Sequence, residues 1–140
     1  ANKAQEYIFG YCVVNDISER SWQKERGGQW IKGKSIAGPC GPYLVTKDEI
    51  ENINNINLSL EVNNEKRQSG NTKRMIFNFD FLISHISKFM TLYPGTIITT
   101  GTPAGTAMEM THPKFLQAGD KLSLKVDYLG EQNHQIVDED

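Results

Sequence analysis

The residues from Lys121 to Tyr128 alternate between apolar and polar side chains, and this pattern constrains the fold more than any other feature of the chain. Leu122, Leu124 and Val126 share one parity, and charged or polar residues occupy the other. A period of two residues is typical of an antiparallel strand with one face on a core and one in water. Similar short runs predict further strands at 7–14, 43–46, 57–62, 65–69, 96–100 and 132–137.

Turns and one helix complete the predicted architecture. Asn63-Asn64 and Leu129-Gly130 predict hairpin turns, because Asn and Gly tolerate positive φ angles. Apolar residues repeat at helical spacing over 79–91, with Asn78 as the expected N-cap and Pro94-Gly95 just beyond the end. The stripe consists of Phe79, Leu82, Ile83, Ile86, Phe89 and Met90. We therefore expect an α+β chain that is mainly β.

Composition excludes several classes of protein. The 140 residues fit about one domain. Fifteen basic residues against seventeen acidic ones give a net charge of −2, which argues against nucleic acid as a partner. No apolar run is long enough to cross a membrane. Cys12 and Cys40 form no metal-binding or disulfide pattern, so we expect buried, reduced thiols in a cytoplasmic protein.

One apparent nucleotide-binding motif is rejected on its context. Residues 28–35 satisfy the pattern Gly-x-x-x-x-Gly-Lys-Ser. That loop should leave a strand and open a helix, yet a polar stretch precedes it and Pro39 and Pro42 follow. The three histidines lack metal-ligand spacing and are interpreted as structural or surface residues.

Two other segments allow both a functional and a structural interpretation. Asp16 follows an apolar strand, and Arg20 and Gln23 stand where a short helical turn brings them onto one face with it. Asp16 could be a site carboxylate or simply cap that turn. The loop 100–105 (TGTPAG) could be a tight bend, or its amides and the Thr102 hydroxyl could bind an anion such as a carboxylate.

Five ordered blocks carry a resemblance to a known family: GYCVVNDISERSWQ (10–23), GGQWIKGKSIAGPCGPYLVT (27–46), RQSGNTKRMIF (67–77), FMTLYPGTIITTGTPAG (89–105) and FLQAGDKLSLKV (115–126). Together they resemble the fumarylacetoacetate hydrolase family over most of the chain. The stretch 128–137 is most similar to its ureidoglycolate lyase-like branch. The resemblance implies a mixed β-roll or sandwich of that family's C-terminal domain type.

The resemblance also implies an activity and a site. Family members act on small 2-oxo or 2,4-dioxo acids with Mg²⁺, Mn²⁺ or Ca²⁺, and pair as homodimers. Carried over by position, Asp16 would be a metal ligand, and Arg20 and Gln23 would lie in the substrate site. Lys34 would neutralise charge on the acid or its enolate. Gly101 and Thr102 would hold the substrate carboxylate.

Two departures from the family pattern qualify this interpretation. Ser21 stands where the family usually has an acidic residue, and the family's other metal carboxylates come from a Glu-x-Glu pair before the first strand. We therefore expect residues 1–140 to be a single, N-terminally incomplete catalytic domain. Its expected function is metal-dependent hydrolysis of a carbon–carbon bond in an acylpyruvate-like acid. The alternatives are a ureidoglycolate lyase-type enzyme and a non-catalytic binding or assembly domain.

Overall fold

A computed structural model describes residues 3–24 and 38–138, apart from the side chain of Trp22. A two-stranded sheet pairs β1 (Gly10–Tyr11) with β2 (Val45–Thr46). A four-stranded sheet contains β3 (Asn57–Val62), β4 (Glu65–Asn71), β5 (Lys121–Val126) and β6 (Gly130–Gln135) in the order β4-β3-β5-β6. The helices are α1 (Arg20–Lys24) and α2 (Phe79–Ile86).

All pairs between these strands are antiparallel, and the described chain has one main helix, which confirms the predicted α+β, mainly β class. The alternation of β5 is also confirmed: Leu122 and Leu124 are buried, whereas Lys121 and Lys125 are exposed. The core cluster lies on this apolar face of the sheet. It contains Val13, Ile50, Ile56, Leu124 and Leu129.

The predicted strands at 96–100 and 7–14 depart most from the structure. Those predicted at 43–46, 121–128 and 132–137 differ in their bounds, which are Val45–Thr46, Lys121–Val126 and Gly130–Gln135. Residues 96–100 form no strand, although Thr and Ile favour one. Strand propensity measures the fit to a neighbouring strand, and this segment has no ladder partner among the described residues. The predicted strand 7–14 is reduced to Gly10–Tyr11 and an isolated bridge from Val14 to Cys40. The pairing register changes by two residues between them, which interrupts the ladder.

The predictions for the helix and the hairpins are confirmed where contacts between neighbouring residues determine the structure. The Asn78 side chain accepts the Phe81 amide and caps α2 as expected. The helix ends at Ile86 rather than at residue 91, because Phe89 and Met90 are 77% and 60% exposed and gain little from continuing it. The Asn63-Asn64 turn is confirmed, with both φ angles positive.

The second hairpin turns one or two residues earlier than predicted. Its loop is Asp127–Leu129, with Tyr128 at a φ of 65°, and Gly130 is the first residue of β6. Three-residue hairpin loops commonly place a residue in the left-handed region, which explains the difference. Among the described residues, no helix has the length and apolar character needed to span a bilayer.

Candidate active site

One cross-strand row of the four-stranded sheet anchors both candidate site segments. Leu60 on β3 lies opposite Gln68 on β4 and opposite Leu124 on β5, and Leu124 lies opposite Gln132 on β6. Residues directly opposite each other in antiparallel strands project from the same face. The row therefore places one glutamine at each edge of the sheet, on the face that carries the core.

At the β6 edge, the buried Gln132 joins two separate backbone segments. Its Nε2 donates to the carbonyl oxygens of Gly41, Val13 and Pro39 at 2.6, 3.2 and 3.3 Å. The two segments also bond directly, from the Gly41 amide to Val13 and from the Asn15 amide to Pro39, at 2.9 and 3.0 Å. Gln132 therefore fixes both ends of the stretch that carries the predicted metal and substrate residues.

Asp16 leaves the sheet immediately beyond this anchor and is exposed. It stands four residues before α1, and the Oε1 of Glu19 accepts the Ser21 amide at the start of that helix, at 2.7 Å. Arg20 and Gln23 both lie on α1, with Nη1 of Arg20 donating to Oε1 of Gln23 at 2.5 Å, whereas Asp16 lies before the helix rather than on it.

The exposures within α1 separate the roles of the two residues. Gln23 is buried, whereas Arg20 is half-buried. The hydrogen bond holds the Arg20 guanidinium beside Gln23. Lys34 and the rejected motif at 28–35 lie outside the described residues.

At the β4 edge, Gln68 holds the glycine loop. Its Nε2 donates to the Thr102 hydroxyl oxygen and to the Pro103 carbonyl oxygen, both at 2.8 Å. Because the hydroxyl oxygen accepts from Gln68, the hydroxyl proton can be directed to an anionic acceptor. Thr102 is exposed, and Gly101 has a φ of 94°, with no atom of the described residues, apart from its chain neighbours, within 4 Å of the position of a Cβ. This end of the loop is therefore open to a small ligand.

The other end of the loop is packed closely and already contacts a carboxylate. A Cβ on Gly105 would lie 1.9 Å from the Arg67 carbonyl oxygen, so the close approach requires glycine. The amides of Gly105 and Thr106 donate to Oε2 of Glu109 at 2.6 and 2.9 Å. These bonds lower the pKa of Glu109. The loop amides thus do bind a carboxylate, but at this end it belongs to the protein itself.

Sequence reasoning missed the two glutamines and Glu109. Gln132 has the parity of the buried side chains of its strand, so a polar residue at an apolar position was the available signal. Gln68 lies inside the block 67–77 that carried the family resemblance, without a role assigned to it. The Glu109 contact is a capping box, a pattern of Thr followed three residues later by Glu.

The described residues do not by themselves form a metal centre. No group of three or more His, Cys, Asp or Glu side chains converges in residues 3–24 and 38–138. A hexacoordinate ion such as Mg²⁺ needs more oxygen ligands than one Asp provides. Asp16 can therefore supply at most one part of a coordination shell.

The chain belongs to the fumarylacetoacetate (FAA) hydrolase C-terminal family, which it matches over residues 1–137. Curated relatives include a Burkholderia ambifaria protein with a provisional hydrolase name, 50% identical over 133 residues, which are 93% of this chain and 47% of that protein. The chain thus spans about half the length of the curated relatives it matches.

Solved structures of enzymes share this fold. The chain is similar to a fumarylacetoacetate hydrolase from Exiguobacterium antarcticum, with a TM-score of 0.92 and 37% identity over 99% of this chain and 50% of that one. It is similar to a 5-carboxymethyl-2-hydroxymuconate delta-isomerase from Mycobacterium smegmatis, with a TM-score of 0.85 and 32% identity over 99% and 52%. It is also similar to a Sphingobium maleylpyruvate hydrolase in complex with manganese(II) and pyruvate, with a TM-score of 0.82 and 28% identity over 97% and 47%.

Proposed function

We propose that the full protein is a metal-dependent hydrolase that cleaves a carbon–carbon bond in a small 2,4-dioxo acid of the acylpyruvate type. The observation that carries the proposal is the similarity to maleylpyruvate hydrolase, whose structure contains manganese(II) and pyruvate. Pyruvate is a 2-oxo acid, and an acylpyruvate would release it on addition of water to the acyl carbonyl. The open end of the glycine loop offers a place for such a carboxylate.

Three site residues have proposed tasks that their surroundings support. The Thr102 hydroxyl, which accepts from Gln68, would donate its proton to the substrate carboxylate, and Gly101 leaves room for that carboxylate. Arg20, held by Gln23, would orient the acid through charge-assisted hydrogen bonds.

The two remaining assignments concern charge. Lys34 would neutralise the developing enolate, since a fixed positive charge near an oxyanion lowers the barrier to its formation. Asp16 would contribute one oxygen to Mg²⁺ or Mn²⁺, and the remaining ligands would come from outside the described residues.

The deciding experiment follows the fate of acetylpyruvate incubated with the full protein and Mn²⁺ or Mg²⁺. Hydrolysis consumes one water and yields acetate and pyruvate, which NMR resolves. We expect acetate and pyruvate to form, and we expect EDTA to abolish their formation. A folded, metal-loaded protein that binds pyruvate without turning over any dioxo acid would instead support a binding or assembly domain.

The similarity to a delta-isomerase favours isomerisation of an unsaturated oxo acid as the second candidate. An isomerase would change the substrate's spectrum without changing its mass, so mass spectrometry separates the two reactions. The ureidoglycolate lyase-type reaction stays a prediction from residues 128–137, and glyoxylate release from ureidoglycolate would establish it.

Lys34→Ala in the full protein tests the proposed charge at the enolate. We expect kcat/KM to fall by about 10²–10³-fold, which is typical for removal of an oxyanion-stabilising group. The matched control is Lys24→Ala, which removes an exposed lysine of α1 with no proposed role. Equal kinetics for the two variants would remove Lys34 from the mechanism.

We also propose that the protein is a homodimer. Helix α2 and its flanks expose a row of aromatic rings in contact with one another, including Phe81 and Phe89, which are 44% and 77% exposed. Exposed apolar patches of this kind often mark association surfaces. Light scattering on the full protein should give twice the mass of one chain, and Phe89→Lys should shift it towards the monomer.

A further inference from the structure

The two cysteines of the chain lie in contact, which their separation in sequence did not predict. The Sγ atoms of Cys12 and Cys40 are 3.2 Å apart, and both thiols are free. Cys40 pairs with Val14 in an antiparallel bridge, and Cys12 precedes Val14 by two residues on the same side of the chain. The expectation of buried thiols was wrong, because Cys40 is exposed and Cys12 is half-buried.

We propose that Cys12 and Cys40 form an oxidisable dithiol that a hydroperoxide converts reversibly into a disulfide. An S–S bond is about 2.05 Å long, so the sulfurs need to approach by only about 1 Å. The overall reaction joins the two sulfurs, breaks the O–O bond and turns hydrogen peroxide and the two thiol protons into two waters. This inference concerns a different chemistry from the proposed hydrolysis and does not depend on it.

The surroundings of the two sulfurs set the order of the steps. The exposed Cys40, as its thiolate, attacks one peroxide oxygen, forms a sulfenic acid and releases hydroxide, which is protonated to water. Burial and the contact with Cys40 raise the pKa of Cys12 to about 11, so Cys12 remains a protonated thiol at neutral pH. Its sulfur then attacks the Cys40 sulfur, the S–O bond breaks, and the Cys12 proton leaves with the hydroxide as water.

The position of the pair gives the bond a structural consequence. It would close the chain between Cys12 and Cys40, and this stretch contains Asp16, Arg20 and Lys34. The hydrogen bonds of Gln132 to Val13, Pro39 and Gly41 already hold the two ends of that stretch together. The native backbone is therefore close to what a crosslink requires, and the bond would restrict mainly the unfolded chain.

The test treats the full chain with hydrogen peroxide and follows free thiols, intact mass and thermal unfolding. We expect both thiols to disappear, the monomer to lose two hydrogens, and dithiothreitol to reverse the change. Closing a ring of this size should raise the thermal midpoint by about 5–10 °C. Peptide mapping of the oxidised chain without substitutions should recover a Cys12–Cys40 crosslinked peptide.

The single variants test the order of attack, and the sequence contains no other cysteine to confuse them. In Cys12→Ser, dimedone should trap a sulfenic acid on Cys40. In Cys40→Ser, the Cys12 thiol should react with peroxide several-fold more slowly than Cys40 does in Cys12→Ser. The proposal is overturned if both thiols survive peroxide, if only disulfides between chains form, or if Cys40 is oxidised to the sulfonic acid without a crosslink. Should either variant fail to fold, the peptide map of the original chain decides alone.

Discussion

The two edges of the four-stranded sheet carry the same residue type in the same row, yet they use it differently. At the β6 edge, Gln132 is 7% exposed, its Nε2 donates only to backbone carbonyl groups, and its Oε1 contacts Nε2 of His134 at 3.0 Å. At the β4 edge, Gln68 is half-buried and one of its two acceptors is the hydroxyl of the exposed Thr102. The difference teaches that identical side chains at equivalent positions can serve the fold at one edge and a ligand at the other.

The physical reason is what covers each glutamine. Gln132 is buried, bonds to the carbonyl of the core residue Val13 and lies opposite the core residue Leu124, so water cannot readily replace its hydrogen bonds if they are lost. Gln68 contacts the glycine loop at the exposed Thr102, so water can replace its hydrogen bond to the Thr102 hydroxyl. We therefore expect substitutions at the β6 edge to affect stability and those at the β4 edge to affect ligand binding.

The largest effect is expected for Gln132→Leu. This change removes three hydrogen bonds to backbone carbonyl groups, although those of Val13 and Pro39 keep their backbone donors. We expect the free energy of unfolding to fall by about 2–3 kcal/mol, measured by urea denaturation. Gln135→Leu is the matched control, since Gln135 lies on the exposed face of the same strand, and it should change stability by less than about 0.5 kcal/mol. Similar losses for both would contradict the anchoring role.

The next effect is expected for Gly105→Ala, which probes how tightly the loop is seated on β4. The new Cβ would meet the Arg67 carbonyl oxygen, so the loop must lift, and we expect a loss of about 1–3 kcal/mol together with weaker pyruvate binding. Gly119 has a similar positive φ but no neighbour among the described residues within 4 Å of its Cβ position, so Gly119→Ala measures the backbone strain alone. If the two variants lose the same stability, the close approach contributes nothing.

Gln68→Leu should reduce stability less than Gln132→Leu does, but it should weaken ligand binding. We expect the free energy of unfolding to fall by no more than about 1 kcal/mol, whereas pyruvate should bind about 3–10-fold more weakly because the Thr102 hydroxyl loses its orientation. Calorimetric titration of the full protein measures the affinity. Ser69→Ala changes the exposed neighbour on the opposite face of β4 and should leave binding unchanged. A stability loss equal to that of Gln132→Leu would remove the contrast between the edges.

The smallest effect is a pH dependence confined to the β4 edge. The Gly105 and Thr106 amides lower the pKa of Glu109, so its contribution is present above the ordinary Glu pKa and is lost as pH falls through the lowered value. NMR shifts of these two amides should therefore titrate with a midpoint below that of an ordinary Glu. Glu109→Gln should abolish the titration, and a midpoint at or above the ordinary value would exclude the contact.

Features that depend on neighbouring residues were predictable. Strand 57–62 was predicted with the bounds that the structure shows, and Asn78 caps α2 as its position indicated. The contact between Arg20 and Gln23 also follows from their three-residue spacing on a helix. The strand at 96–100 failed because a strand requires a partner that no local pattern specifies.

Most of the candidate site could not be predicted in this way. Gln68 and Thr102 are 34 residues apart, and Gln132 and Val13 are 119 residues apart. No periodicity connects such positions, and the glutamines become visible only when the register of the strands is known. The cysteine contact belongs to the same group, because 28 residues separate its members.

The sequence by itself determined the mainly β class, the faces of the strands, the helix cap and the resemblance to the family. These follow from side-chain parity and from hydrogen bonds over a few residues, which the order of amino acids specifies directly. Only the tertiary structure decided that Gln68 and Gln132 end one row, that Glu109 fills half of the glycine loop and that Cys12 contacts Cys40. These contacts depend on the strand order β4-β3-β5-β6 and its register, which arise from burying the whole apolar face at once.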